Sequence, residues 1–335
     1  MPVIALTGHL GAGKTSLLNH LLRTPGARLG VVVNDFGALN VDAALVTGQI
    51  DEAAAISGGC LCCLPDAGGL DAALEKLAHP RLRLDAIVVE ASGAADPVSL
   101  ARLLRFSGVE RIRPGGIVEV IDAVAHFQTV DTWPDPPLRY AAATVVAIGK
   151  TDLLPSQERE DRVKLIEQRV RARNPTAQLV IAREGRVDPA LVFDTATMED
   201  PEEQLPIARL LREENCGHDD HEHARAASIA LPRPVSPGAL IDLFEQPPAG
   251  AYRIKGRVRV LGPKVDRGYV VNVVGRMIHI APLAEPPEVG ELVAIGMSLD
   301  VTAVERRLRA LAATSADRPD AAGLRRLRRY RRLSD

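Results

Sequence analysis

The sequence predicts an α/β protein, a doubly wound and mostly parallel sheet followed by a smaller α+β domain. Three observations carry that prediction. An apolar run, Val3-Ile4-Ala5-Leu6, leads into Gly8-His9-Leu10-Gly11-Ala12-Gly13-Lys14-Thr15 and then into Ser16-Leu17-Leu18-Asn19-His20-Leu21-Leu22. That is a strand, a glycine-rich loop and an amphipathic helix. Apolar strands then alternate with helical stretches as far as residue 182, and several end in ligand-type residues. After an acidic, polar interval at 186–226, short alternating strands take over.

The loop has the spacing G-x-x-x-x-G-K-[ST] of a phosphate cradle. Glycines let backbone N–H groups turn inward on a polyphosphate, and the helix behind them presents its positive end to the same anion. Gly8, Gly11, Ala12, Gly13 and Ser16 belong to the cradle. Lys14 is placed to reach the β- and γ-phosphates, and the Thr15 hydroxyl to ligate Mg²⁺.

With 335 residues the chain divides into two domains more readily than one. Hydrophobic residues make up 46% but aromatics only 3%, so the cores are built from Ala, Val, Leu and Ile. A net charge of −2 points to neither nucleic acid nor a membrane surface. No apolar run approaches a membrane span, and the N-terminus begins a strand with no leader pattern. Three of the four cysteines are crowded together, which excludes a disulfide framework and reads as a cytoplasmic protein with a metal or thiol site.

In order, strands are expected at 2–7, 29–33, 84–90, 116–122, 142–148 and 178–182, with helices at 14–23, 69–78, 97–107 and 156–173. The strand at 29–33 ends in Asn34-Asp35-Phe36-Gly37, where Asp35 is either an Mg²⁺-sensing switch residue or a plain turn aspartate. Glu90 closes an apolar strand and continues into Ala91-Ser92-Gly93. A lone acidic strand end is common, but beside a phosphate loop it is expected to be the partner that holds Mg²⁺ or its waters, with the Gly93 N–H in reach of the γ-phosphate. Beyond the interval come strands at 226–231, 252–260, 269–274, 277–280 and 291–297, and helices at 237–244 and 301–312. The domains are therefore 1–185, a linker at 186–225, 226–313, and an arginine-rich tail at 314–335. In that tail Leu324, Leu327, Tyr330 and Leu333 recur every three residues among arginines, which reads as a frayed solvated end or a basic amphipathic docking helix.

Cys60, Cys62 and Cys63 lie in one turn-sized segment beside Gly58 and Gly59. Thiolates at this spacing converge on one borderline cation, Zn²⁺ being the commonest. No second pair closes a four-thiolate site, so an open position remains for ligand exchange. The same residues also suit buried core thiols or a redox group. A second cluster, Cys216 with His218, His221 and His223, is equally a metal-gathering loop or a solvated polar one.

Taken together, the glycine loop, Gly58-Gly59-Cys60-Leu61-Cys62-Cys63, Glu90-Ala91-Ser92-Gly93, Lys150-Thr151-Asp152 and Asn174-Pro175 resemble the CobW-type metallochaperone GTPases, over nearly the whole chain to about residue 312. The resemblance implies a P-loop GTPase with a ferredoxin-like C-terminal domain, binding GTP/GDP, Mg²⁺ and Zn²⁺. It implies metal, most often Zn²⁺, at Cys60, Cys62 and Cys63, while the residues read above place Mg²⁺ at Thr15 with Glu90 and, in its switch reading, Asp35, and catalysis at Lys14, Thr15 and Glu90. The implied activity is GTP hydrolysis coupled to metal delivery to a client metalloprotein. A zinc buffer or sensor with a structural nucleotide is the alternative. Family members read guanine with Asn-Lys-x-Asp, whereas this chain has Gly149-Lys150-Thr151-Asp152. Lys150 and Asp152 keep the preference for guanine, and the missing Asn amide weakens it by about 1–3 kcal/mol. No sequence signal specifies the client, a nucleic-acid partner or an oligomeric state.

Overall fold

The fold is taken from a computed structural model that describes residues 1–24, 27–35, 53–57, 68–193, 224–313 and 320–334. Among these, seven parallel strands form one sheet: β1 (Pro2–Gly8), β2 (Leu29–Asp35), β3 (Ala53–Ser57), β4 (Ala86–Glu90), β5 (Arg113–Asp122), β6 (Val145–Gly149) and β7 (Gln178–Ala182). Their order is β3-β2-β4-β1-β5-β6-β7, which puts β1 in the centre. Every residue of β1 and β4 is buried, as expected of parallel strands covered on both faces.

Helix α1 (Lys14–Leu22) covers one face, where Leu17, Leu18 and Leu21 meet Ile4, Leu6, Val31, Val88 and Val118. The other face carries α2 (Gly68–Leu77), α3 (Pro97–Arg105) and α4 (Ser156–Arg173). The start of α3 is fixed locally: Asp96 accepts from the Val98 and Ser99 amides at 3.2 and 3.1 Å, and Pro97 follows it. Packing of this domain runs past the expected boundary at 185, because Val187, Leu191 and Phe193 are buried in the α1-side core. That core also takes in Tyr252 and Val274 from the second domain, so the two domains share a buried seam.

The second domain is one antiparallel sheet in the order β11-β10-β9-β12-β8, built from β8 (Arg225–Leu231), β9 (Arg253–Val260), β10 (Arg267–Val274), β11 (Met277–Pro282) and β12 (Gly290–Gly296). Helix α5 (Pro237–Glu245) joins β8 to β9, and β12 lies antiparallel between them. This split β-α-β unit is the ferredoxin-like feature. Helix α6 (Val301–Ala313) packs on β8.

The tail is not frayed. Residues Ala321–Ser334 form helix α7 against α5 and β11. Leu327 is buried, Arg326 pairs with Asp242 and Glu245 at 2.7 and 2.6 Å, and the Tyr330 hydroxyl donates to Glu245 at 2.9 Å. Leu327 and Tyr330 of the apolar stripe read from the sequence are thus spent on the domain's own core.

Candidate functional site

The glycine-rich loop leaves β1 at its carboxyl end, at the middle of the sheet. Gly8, Gly11 and Gly13 have φ of 147°, 75° and 102°, conformations that side chains disfavour. A Cβ on Gly8 would also stand 2.6 Å from the Val120 carbonyl, whereas Gly11 and Gly13 have nothing within 4 Å. At the last two the requirement is conformational, and the space over them is open. Lys14 is buried and lies back across the loop, its Nζ donating to the Gly8 and His9 carbonyls at 3.1 and 3.3 Å.

The Thr15 hydroxyl donates to Glu90 Oε1 at 2.9 Å across 75 residues of chain. A hydroxyl and a carboxylate are hard oxygen donors, the set that suits Mg²⁺ and not a soft cation. These residues therefore fit the metal that a nucleoside triphosphate brings. The Gly93 backbone abuts the loop so closely that a Cβ there would stand 2.5 Å from the Leu10 nitrogen. Asp35 ends β2, two residues beyond Val33, which is in register with Glu90. Strand β3 runs beside β2 with Ser57 opposite Asp35.

Lys150 reaches the loop from the end of β6. Its Nζ donates to the Gly11 carbonyl at 2.6 Å and to Asp122 at 2.7 Å. Burial opposes ionisation of Asp122, but Lys150 and the Ala125 and Val124 amides more than offset it, holding the carboxyl below the usual range. Asp152 sits exposed on the turn Thr151–Leu153. Gly149 leaves room: a Cβ there would meet only the Ile121 and Ala12 carbonyl oxygens, at 3.7 and 3.8 Å.

Sequence reasoning missed several neighbours of the site. Gly185 (φ 76°) packs on Ser16, where a Cβ would come within 3.0 Å of the serine Cβ. Buried Thr7, just before Gly8, donates to Glu119 at 2.6 Å, and Glu119 pairs with Arg139 at 2.5 Å. Burial pushes the Glu119 carboxyl up, against the pull of Arg139 and Thr7. The one available signal was a lone carboxylate inside the apolar run Ile117–Ile121. Cys60, Cys62 and Cys63, and the cluster of Cys216, His218, His221 and His223, lie outside the described residues.

A hydroxyl–carboxylate pair beside a glycine cradle, at the end of a central parallel strand, is how P-loop proteins hold a nucleoside triphosphate and its metal. This chain is one of that class. Residues 2–180 match the family model "CobW/HypB/UreG, nucleotide-binding domain", and residues 224–312 match "Cobalamin synthesis protein cobW C-terminal domain". The chain belongs to the CobW/HypB/UreG family.

It is 29% identical over 201 residues to the zinc chaperone YjiA of Escherichia coli (strain K12), covering 58% of this chain and 61% of that protein. It is 25% identical over 316 residues to the zinc chaperone CobW of Sinorhizobium sp, covering 80% and 87%. The match thus spans about three-fifths of the E. coli relative's length. The crystal structure of Zn(II)-bound YjiA GTPase from E. coli aligns at 20% identity with a TM-score of 0.43, covering 93% of this chain and 98% of that one.

Proposed function

We propose that this chain is a Mg²⁺-dependent GTPase whose nucleotide cycle governs a transition metal, most readily zinc, carried at Cys60, Cys62 and Cys63 and handed to a client metalloprotein. The observation that supports it best is the Thr15–Glu90 hydrogen bond beside the glycine cradle. Lys14 exchanges its two loop carbonyls for phosphate oxygens, and its charge offsets that on the transferring phosphoryl group. The backbone N–H groups of Gly11 to Thr15 hold the phosphates, and Gly93, pressed against Leu10, presents its N–H beside them. Thr15 and Glu90 are the residues that hold Mg²⁺, which when bound neutralises phosphate charge. Phosphoryl transfer asks mainly for such positioning and charge stabilisation. Asp152 accepts from the ring N–H and amino group of guanine, a donor pair that adenine lacks, while Lys150 braces the loop.

The metal half of the reading rests on where the chain goes next. β3 ends at Ser57, three residues ahead of Cys60, at the same edge of the sheet as the cradle. Two strands separate β3 from β1, about 14 Å at ordinary strand spacing. In this reading, occupancy of the cradle and of the thiolates communicates through β2 and β4.

Metal analysis and GTPase assays with and without added Zn²⁺ test both halves. The expected result is bound zinc that disappears in the Cys60→Ser/Cys62→Ser/Cys63→Ser variant, and turnover that responds to Zn²⁺. Unchanged metal content in the variant overturns the thiolate site. A tightly held nucleotide with no turnover, with or without zinc, replaces the chaperone with a buffer.

A further inference from the structure

The amino ends of β1, β5 and β6 lie at the opposite edge of the sheet from the cradle, about 20 Å away along β1. There the β10–β11 turn of the second domain meets α3 and the end of α4 and leaves a groove of about 350 Å³. Its floor is small and apolar: Val3, Ala101, Leu104, Ile117 and the alanines 141–143. Three exposed arginines stand around it, Arg105 from α3, Arg173 from α4 and Arg276 from the β10–β11 turn. No aspartate or glutamate is among its lining residues. Arg173 is held in place by the Pro136 carbonyl at 2.7 Å, and neither Arg105 nor Arg276 has a carboxylate partner among the described residues.

Large apolar side chains stand exposed close by in the chain. Phe106, directly after Arg105, is 79% exposed, and Leu138, on the turn that packs against α3, is 68% exposed. An apolar floor with a single-sign rim selects its occupant by charge complementarity. No aromatic ring lines the groove, so it offers no stacking platform for nucleic-acid bases.

We infer that this interdomain groove docks a segment of a partner protein that carries aspartate or glutamate beside aliphatic residues. Its aliphatic side chains fill the floor and its carboxylates meet Arg105, Arg173 and Arg276. Because the rim draws on both domains, the docked segment also ties them together. The inference goes beyond metal transfer and needs neither nucleotide nor zinc.

Random dodecapeptides displayed on phage, selected against the full-length protein, test it. The expected winners are acidic and aliphatic, and their affinity falls at least tenfold in Arg105→Glu/Arg276→Glu while GTP binding is unchanged. The neutral Arg105→Gln/Arg276→Gln variant gives an intermediate loss and guards against misfolding by charge reversal, with thermal unfolding as the check. Winners that are neutral or basic, winners that bind both variants as well as wild type, or no winners at all overturn the proposal. A uridine oligonucleotide that binds the wild type but not the variants also overturns it, by assigning the groove to nucleic acid.

Discussion

Gly149 is the residue at which this chain departs from the family's guanine-reading motif, and the backbone there tolerates more than glycine. With no heavy atom nearer than 3.7 Å to a built Cβ, and only the Ile121 and Ala12 carbonyl oxygens within 4 Å, the first atom of an asparagine side chain has room there. Gly149→Asn is therefore expected to tighten GTP by about 1–3 kcal/mol, the worth of one hydrogen bond to a group otherwise left unmatched. Parallel GTP and ATP titrations check this, and an unchanged GTP/ATP ratio sinks it. His126 is buried as well. The Tyr140 hydroxyl donates to Asp131 at 3.0 Å, so it must accept from His126 Nε2–H. Burial lowers the His126 pKa to about 4, with Asp131 pulling the other way. Below pH 6.5 the unfolded chain takes up a proton that the folded one refuses. Stability is then lost as pH falls from 6.5 toward 4, by roughly 3 kcal/mol in full. His126→Gln keeps a donor toward Tyr140 and should flatten that part of the profile in urea unfolding at stepped pH. An equally steep profile in the variant assigns the acid sensitivity elsewhere.

Among the elements, β5 carries a polar feature inside an otherwise apolar run. Glu119 is fully enclosed and its partner Arg139 nearly so. Removing only the carboxylate, as in Glu119→Ala, strips a buried guanidinium and should cost about 3–5 kcal/mol. Glu119→Val/Arg139→Leu removes both charges and should recover most of that loss, which chemical denaturation of the three proteins measures. A double variant as unstable as the single one would mean that the ion pair itself holds β5. The same strand shows why the sequence is readable only in part. The apolar runs of β1, β2, β4, β6 and β7 announce themselves, and so do Thr15, which the loop motif dictates, and Glu90, a carboxylate closing an apolar run; their hydrogen bond across 75 residues does not. β3 does not, since Ala53-Ala54-Ala55 carries no strand propensity and pairs only because β2 offers its edge. Glu119 is visible as an oddity, but nothing local names Arg139, twenty positions on. The tail's period of three is legible, while its seat on α5 and β11 is a long-range fact.

For the whole molecule, β1 ends in the cradle, and its neighbours β4, β2 and β3 lead step by step to the segment bearing Cys60, Cys62 and Cys63. If zinc on those thiolates favours one arrangement of that segment and GTP favours the same one, linkage makes the effect reciprocal. Zinc must change the affinity for a non-hydrolysable GTP analogue by the same factor as the analogue changes the affinity for zinc. The expected factor is about 5–150, the usual range for coupled sites. Calorimetric titration of the analogue at saturating and at chelated zinc gives one factor. Competition against a zinc chelator, with and without the analogue, gives the other. The triple serine variant should return the nucleotide titration to its zinc-free value at any zinc concentration, since the cradle itself is untouched. A factor of one in both directions would leave two independent sites on one sheet and remove the reason for nucleotide control of metal release.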